Sequence, residues 1–137
     1  PRSGGKVFIS LADIDKEFAP TIASKLIEQG FSIVATGGTY QTISNKDIEC
    51  EKVLKVSEGR PNINDSLANE EIVMAINTSD GEETSKEDGL AIRRMVLRMN
   101  VPYFTTVAGA LASIEAIKAS CDGSSIEPKA IQDFLNI

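Results

Sequence analysis

The sequence predicts an α/β protein with a doubly wound, mainly parallel five-stranded sheet and helices on both faces. Three observations carry this reading. Short apolar runs alternate along the chain with segments of helical periodicity. The runs "KVFISL", "FSIVA" and "IVMAI" are apolar at nearly every position, as expected of strands covered on both faces. Glycine, proline or asparagine stands at most of the joints between these runs.

The elements follow in order. Residues 6–11 form the first strand, and Asp13 or Asp15 is placed to cap the next helix. Phe18, Ile22, Ala23, Leu26 and Ile27 give that helix an apolar face, with Pro20 in or near its first turn and Gly30 as its left-handed cap. Residues 31–35 are the second strand, and a short helix is expected over 39–45. "KVLKV" (52–56) is the third strand, followed by a polar turn and one or two helical turns in "DSLAN". Residues 72–76 are the fourth strand. The polar stretch "NTSDGEETSKEDG" is expected to be a long loop. A helix over 90–99 follows, capped by Asn100 and stopped by Pro102. "VPYFTT" is the fifth strand. A helix over 107–120 then carries Ala108, Leu111, Ile114 and Ile117 as a stripe, and Pro128 opens a last short helix. Residues 1–5 read as a glycine-rich linker or processing remnant, and 6–137 as one domain.

Composition narrows the function. The 137 residues carry a net charge of −6, from 14 basic and 20 acidic side chains. That argues against a nucleic-acid-binding face. No apolar run approaches the ~20 residues of a membrane span, so neither nucleic acid nor membrane is expected as a partner. Cys50 and Cys121 show no metal spacing, and Glu49 and Glu51 disfavour a thiolate at Cys50. Both are expected as reduced thiols. The chain contains no histidine, which removes the commonest general base and metal ligand. No metal and no cofactor is expected.

In such a sheet, ligands bind at the carboxyl ends of the strands. Those ends carry Asp13, Asp15 and Lys16 after the first strand, and Thr36, Gly37, Gly38 and Thr39 after the second. Lys55 ends the third. Asn77, Thr78 and Ser79 follow the fourth, and Thr105 and Thr106 the fifth. "TGGT" is no hairpin, because a helical segment follows it. Its glycines let backbone N–H groups approach an anion, the helix start adds partial positive charge, and Lys16 and Lys55 can add full charges. The alternative is that a short connection simply needs glycine and a hydroxyl cap. It is neither a Walker loop nor a dinucleotide fingerprint. Arg93, Arg94 and Arg98 read as a solvated helix face, the acidic run near residue 83 lacks cation-loop spacing, and Tyr103 reads as half-buried with its hydroxyl reaching a partner.

The ordered phrases "SLADIDK", "ATGGT", "LKVSEGRPNIND", "INTSDG", "IRRM" and "TTVAGALA" make the sequence similar to a known family. It resembles the C-terminal allosteric, methylglyoxal-synthase-like domain of the large chain of glutamine-hydrolysing carbamoyl-phosphate synthase, from about Lys6 to Phe134. The resemblance implies a regulatory module within an ATP-dependent ligase that serves pyrimidine and arginine synthesis, and not a catalytic centre of its own. It implies UMP or IMP as effectors, held by Lys16, Thr36, Gly37, Gly38, Thr39, Lys55, Asn77, Thr78 and Ser79. Lys16, Thr36 and Thr39 would take the phosphate, Lys55 phosphate or ribose, and Asn77 with its neighbours ribose and base. Ornithine would bind between this domain and the rest of the large chain, with Tyr103 and Thr105 contributing. The rest of the large chain and the glutaminase small chain are the implied partners, and the cytoplasm or the chloroplast stroma the implied setting. Two positions depart from a relative's pattern: Gly37 stands where a histidine occurs, and Gly89 replaces a serine. The alternatives on the same fold are a phosphate-eliminating lyase of the methylglyoxal synthase type and an IMP-cyclohydrolase-like domain. The lyase needs histidines that this chain does not have.

Overall fold

The computed structural model describes residues 5–54, 59, 62–69, 71–78 and 83–121. Five parallel strands form one sheet: β1 (Lys6–Ser10), β2 (Ser32–Ala35), β3 (Glu51–Lys52), β4 (Ile72–Asn77) and β5 (Tyr103–Phe104). Their order is β3-β2-β1-β4-β5. The chain therefore winds outward from β1 in one direction and, after β3, returns beside β1 to wind out in the other. The reversal leaves a crevice between the carboxyl ends of β1 and β4.

Alternating side chains divide the core. Val7, Ile9, Ile33 and Ala35 face helices α1 (Ala19–Glu28), α2 (Gly37–Ser44) and α5 (Val107–Cys121) through Ile22, Ala23, Leu26, Ile43, Ala110, Ile114 and Ile117. Phe8, Val34 and Ala75 face α3 (Ile63–Ala68) and α4 (Glu83–Arg98) through Ile63, Leu67, Ile92 and Val96. A register shift interrupts the β1–β4 ladder, where Lys6 pairs with Ile72 but Val7 pairs with Met74. As a result Val73 and Met74, though consecutive, both pack on the α1 side. A Cβ on Gly5 would stand 2.5 Å from Val73 Cγ1 at this irregularity. The Gly5 carbonyl already accepts from the Ser32 N–H, so sheet bonding begins one residue before the expected start.

Two helix ends match the sequence reading closely. Gly30 has φ of 93°, and the N–H groups of Gly30 and Phe31 donate back to Ile27 and Leu26 carbonyls. Asn100, with φ of 57°, does the same after α4, where Asn100 and Val101 donate to Leu97 and Val96. Both are double-bonded left-handed caps. Elsewhere the structure corrects the expectation. Neither Asp13 nor Asp15 caps α1 through its side chain. A 3-10 turn over Asp13–Phe18 intervenes, and α1 starts at Ala19 with Pro20 in its first turn. Phe18 and Ile27 lie at the margin of the apolar face and remain partly exposed. The third strand begins at Glu51 and pairs over only two residues, while the Val53 N–H still reaches the Ala35 carbonyl.

The expected loop before Leu90 is helical from Glu83. Apolar periodicity misses the polar opening turns of a helix, whereas Glu and Lys favour them. In α5 the buried stripe runs through Ala110, Ser113, Ile114 and Ile117, and Ala108 is exposed, because the sheet lies under the 110/114/117 row. Arg93, Arg94 and Arg98 are exposed, as the sequence suggests. Residues 55–58 and 60–61 of the third strand and polar turn, and the Pro128 helix, lie outside the described residues.

Cys50 is half-buried before β3, and burial first, then the neighbouring Glu51 carboxylate, pushes its thiol from 9.0 up to about 11. The folded protein should therefore alkylate slowly at Cys50. Between pH 9 and 11 an unfolded chain ionises this thiol while the folded one keeps its proton, so this group favours unfolding as pH rises through that window. Peptide mass spectrometry after iodoacetamide treatment at pH 9 should show Cys50 labelled far more slowly in the native protein than in urea.

Candidate functional site

The carboxyl end of β1 lies in the middle of the sheet, where water cannot satisfy its backbone. Two threonine hydroxyls take that role, and a third bonds the last side chain of the strand. The Leu11 N–H donates to Thr39 Oγ1 (3.0 Å). The Ala12 N–H donates to Thr78 Oγ1 (2.8 Å), and the Thr78 N–H donates to the Ser10 carbonyl (3.0 Å). The Thr36 hydroxyl donates to Ser10 Oγ (2.8 Å). All four side-chain hydroxyl residues are buried, Thr39 and Thr36 at 1% and 2% exposure. The chain ends of β1, β2 and β4 are thus joined by a buried network, which holds each group in one place.

The helix that follows β2 opens with the two glycines. Gly37 and Gly38 are the first residues of α2 and not a loop before it, so the helix starts two residues earlier than the spacing predicts. Its first intrahelical bond runs from the Tyr40 N–H to the Thr36 carbonyl (2.7 Å). The N–H groups of Gly37, Gly38 and Thr39 precede that ladder and have no partner within the helix. Thr36 occupies the capping position but makes no capping bond, because its hydroxyl is turned to Ser10. At α5, by contrast, Thr106 Oγ1 accepts from the Gly109 N–H (3.0 Å). The start of α2 is left as a donor-rich, partially positive end.

Lys16 reaches this end from the 3-10 turn after β1. A Cβ on Gly38 would lie 2.7 Å from Lys16 Nζ, whereas a Cβ on Gly37 would meet nothing within 4 Å. The lack of a Cβ at Gly38 gives the ammonium room against the helix start, and Gly37 faces open space. Lys16 is ion-paired with Asp13, three residues before it. On the other side of the crevice, Asn77 ends β4 and its Nδ2 donates to the Tyr103 hydroxyl (3.2 Å) on β5. The sequence leads one to expect a partner for this hydroxyl without naming which.

The structure brings together Lys16, Thr36, Gly37, Gly38, Thr39 and Thr78 around the ends of β1, β2 and β4. Asn77 joins Tyr103 to that rim, and Thr105 is exposed beyond β5. Lys55 and Ser79 lie outside the described residues. Sequence reasoning missed Ser10, whose only signal is a lone hydroxyl at the end of an apolar strand. Asp65 is the position where the lyase alternative would place a catalytic carboxylate. Asp65 Oδ2 instead accepts from the Asn62 N–H (2.7 Å), closing the first turn of α3. A second cleft, about 430 Å³, lies at the opposite end of the sheet by Lys6, Ser32 and Glu51. Its Lys6 ammonium is paired with Glu51 (3.2 Å), and its Cys50 thiol is protonated at neutral pH.

The threonine hydroxyls make a stability test. Thr39→Val keeps the shape but strips the acceptor from a buried N–H, and should cost about 1–3 kcal/mol in urea denaturation. Thr39→Ser, which keeps the oxygen, should cost distinctly less.

Comparison with known proteins gives the family. The family model described as MGS-like domain matches residues 19–105. A carbamoyl phosphate synthase large chain of Campylobacter jejuni is 45% identical over 131 residues, covering 96% of this chain and 12% of the relative. A chloroplastic, arginine-specific large chain of Arabidopsis thaliana is 45% identical over 133 residues, covering 97% of this chain and 11% of its own length. A C-terminal section of the large chain from Aquifex aeolicus is 40% identical over 137 residues, covering 97% of this chain and 25% of that protein. The chain spans only about an eighth of the full-length large chains it matches. With its all-parallel sheet and these matches, the chain belongs to the MGS-like domain family, in the form found in carbamoyl phosphate synthase large chains.

Proposed function

We propose that this domain binds a phosphate-bearing nucleotide, UMP or IMP, at the carboxyl ends of β1, β2 and β4, and regulates a carbamoyl phosphate synthase of which it is part. One observation carries the reading. Lys16 Nζ lies against Gly38, at the start of a helix whose first N–H groups are outside its own ladder. A fixed cation and several N–H donors at one point suit a phosphate. Thr39 Oγ1 accepts from Leu11, so its own proton remains for a phosphate oxygen. Asn77 and Thr78 stand across the crevice, where ribose or base would lie. Lys55 and Ser79 complete the proposed set. Tyr103 and Thr105 would form this domain's side of an ornithine site.

In this reading the domain is regulatory and not catalytic. The chain has no histidine for proton transfer, and the Asp65 carboxylate closes a helix turn. Among the described residues no helix is long and apolar enough to cross a membrane. The relatives' names suggest the rest of the large chain as the partner through which binding acts. Regulation requires that the nucleotide bind more tightly to one state of the parent enzyme than to another, a coupling typically worth ~1–3 kcal/mol.

Calorimetric titration with UMP and IMP tests the reading. Saturable binding is expected, and Lys16→Met should weaken it roughly tenfold or more while leaving the melting temperature nearly unchanged. Turnover of dihydroxyacetone phosphate, or binding indifferent to Lys16→Met, would contradict it.

A further inference from the structure

Lys16 is in an electrostatically awkward place. Its ammonium lies at the positive end of α2, where a helix disfavours a cation, and only a negative group makes the position comfortable. In this structure that group is the carboxylate of Asp13. The pair belongs to one short 3-10 turn, so Asp13 stays within reach of Lys16 whatever else occupies the crevice. The Asp13 side chain is 87% exposed and that of Lys16 28%. The carboxylate is thus well hydrated and can return to water at small cost, while the ammonium remains against the helix.

We infer that Asp13 is a built-in counter-ion of the phosphate site: it neutralises Lys16 when no ligand is bound and must be displaced from Lys16 by the incoming phosphate. The inference rests on the effector reading given above and adds a specificity rule to it. A phosphate monoester carries nearly two charges at neutral pH and several acceptor oxygens, and so outcompetes one carboxylate for an ammonium and a set of N–H donors. A ligand with a single carboxylate is matched against Asp13 on equal terms and gains little. Asp13 therefore lowers the affinity for every anion, and leaves only the dianion with useful binding.

The test is calorimetric titration of the 137-residue chain and its Asp13→Asn, Lys16→Met and doubly substituted variants, with UMP, uridine and inorganic phosphate as probes. Asp13→Asn should tighten UMP and inorganic phosphate by roughly threefold to tenfold, and leave uridine unchanged. The gain should disappear when Lys16→Met is already present, since the carboxylate acts through that ammonium. Thermal melts of each variant identify any that fail to fold, and Asp13→Ser then serves in place of Asp13→Asn. If the unsubstituted chain binds UMP and Asp13→Asn leaves that affinity unchanged or weaker, the counter-ion role is overturned and the effector reading stands. If the folded, unsubstituted chain binds neither UMP nor inorganic phosphate, both fall.

Discussion

The central strand of the sheet ends in the interior, and its last backbone groups must be paired there. Everything at the site depends on how this is done. The sheet cannot satisfy them, because β2 and β4 end at the same level. The Leu11 and Ala12 N–H groups are taken up instead by hydroxyls from the two flanking connections, Thr39 and Thr78. An unpaired buried N–H costs about as much as a lost hydrogen bond or more. Stability and geometry are therefore secured by the same few atoms. The hydroxyl that would otherwise cap α2 is committed to Ser10, and the helix start is left with donors to offer.

That trade leaves a polar candidate site braced by buried hydrogen bonds. The donors are backbone groups at the start of an eight-residue helix whose Ile43 is fully buried against the sheet. Among the described residues, the cation beside them is Lys16, which lies over Gly38 and is paired with Asp13. On the proposed reading, a phosphate would meet N–H donors already in place, with only the Asp13–Lys16 pair left to rearrange. The Asn77–Tyr103 bond extends the rim one strand further, to the edge at β5.

Much of this was legible in the sequence. The apolar runs predict the strands, and Gly30 and Asn100 the helix ends, because these signals are local: an unbroken buried run, a residue tolerant of positive φ. "TGGT" followed by helical spacing points to the start of α2, the candidate site. The errors have equally specific causes. The 3-10 turn before α1 and the polar opening of α4 carry no apolar period, so spacing alone misplaces both. The two glycines read as a loop, though they lie inside the helix, where Lys16 passes over Gly38. Long-range bonds leave no mark in a single chain. Nothing in "KVFIS" announces that Ser10 will accept from Thr36, or that Thr39 will serve Leu11, 28 residues away.

The central claim is that the start of α2 is the binding end of the molecule. Amide chemical shifts recorded by NMR during addition of UMP test it most directly. The account predicts that the largest changes fall on Gly37, Gly38 and Thr39, with smaller ones at Lys16 and Asn77. Changes centred on Lys6, Ser32 and Cys50, at the opposite end of the sheet, would contradict it.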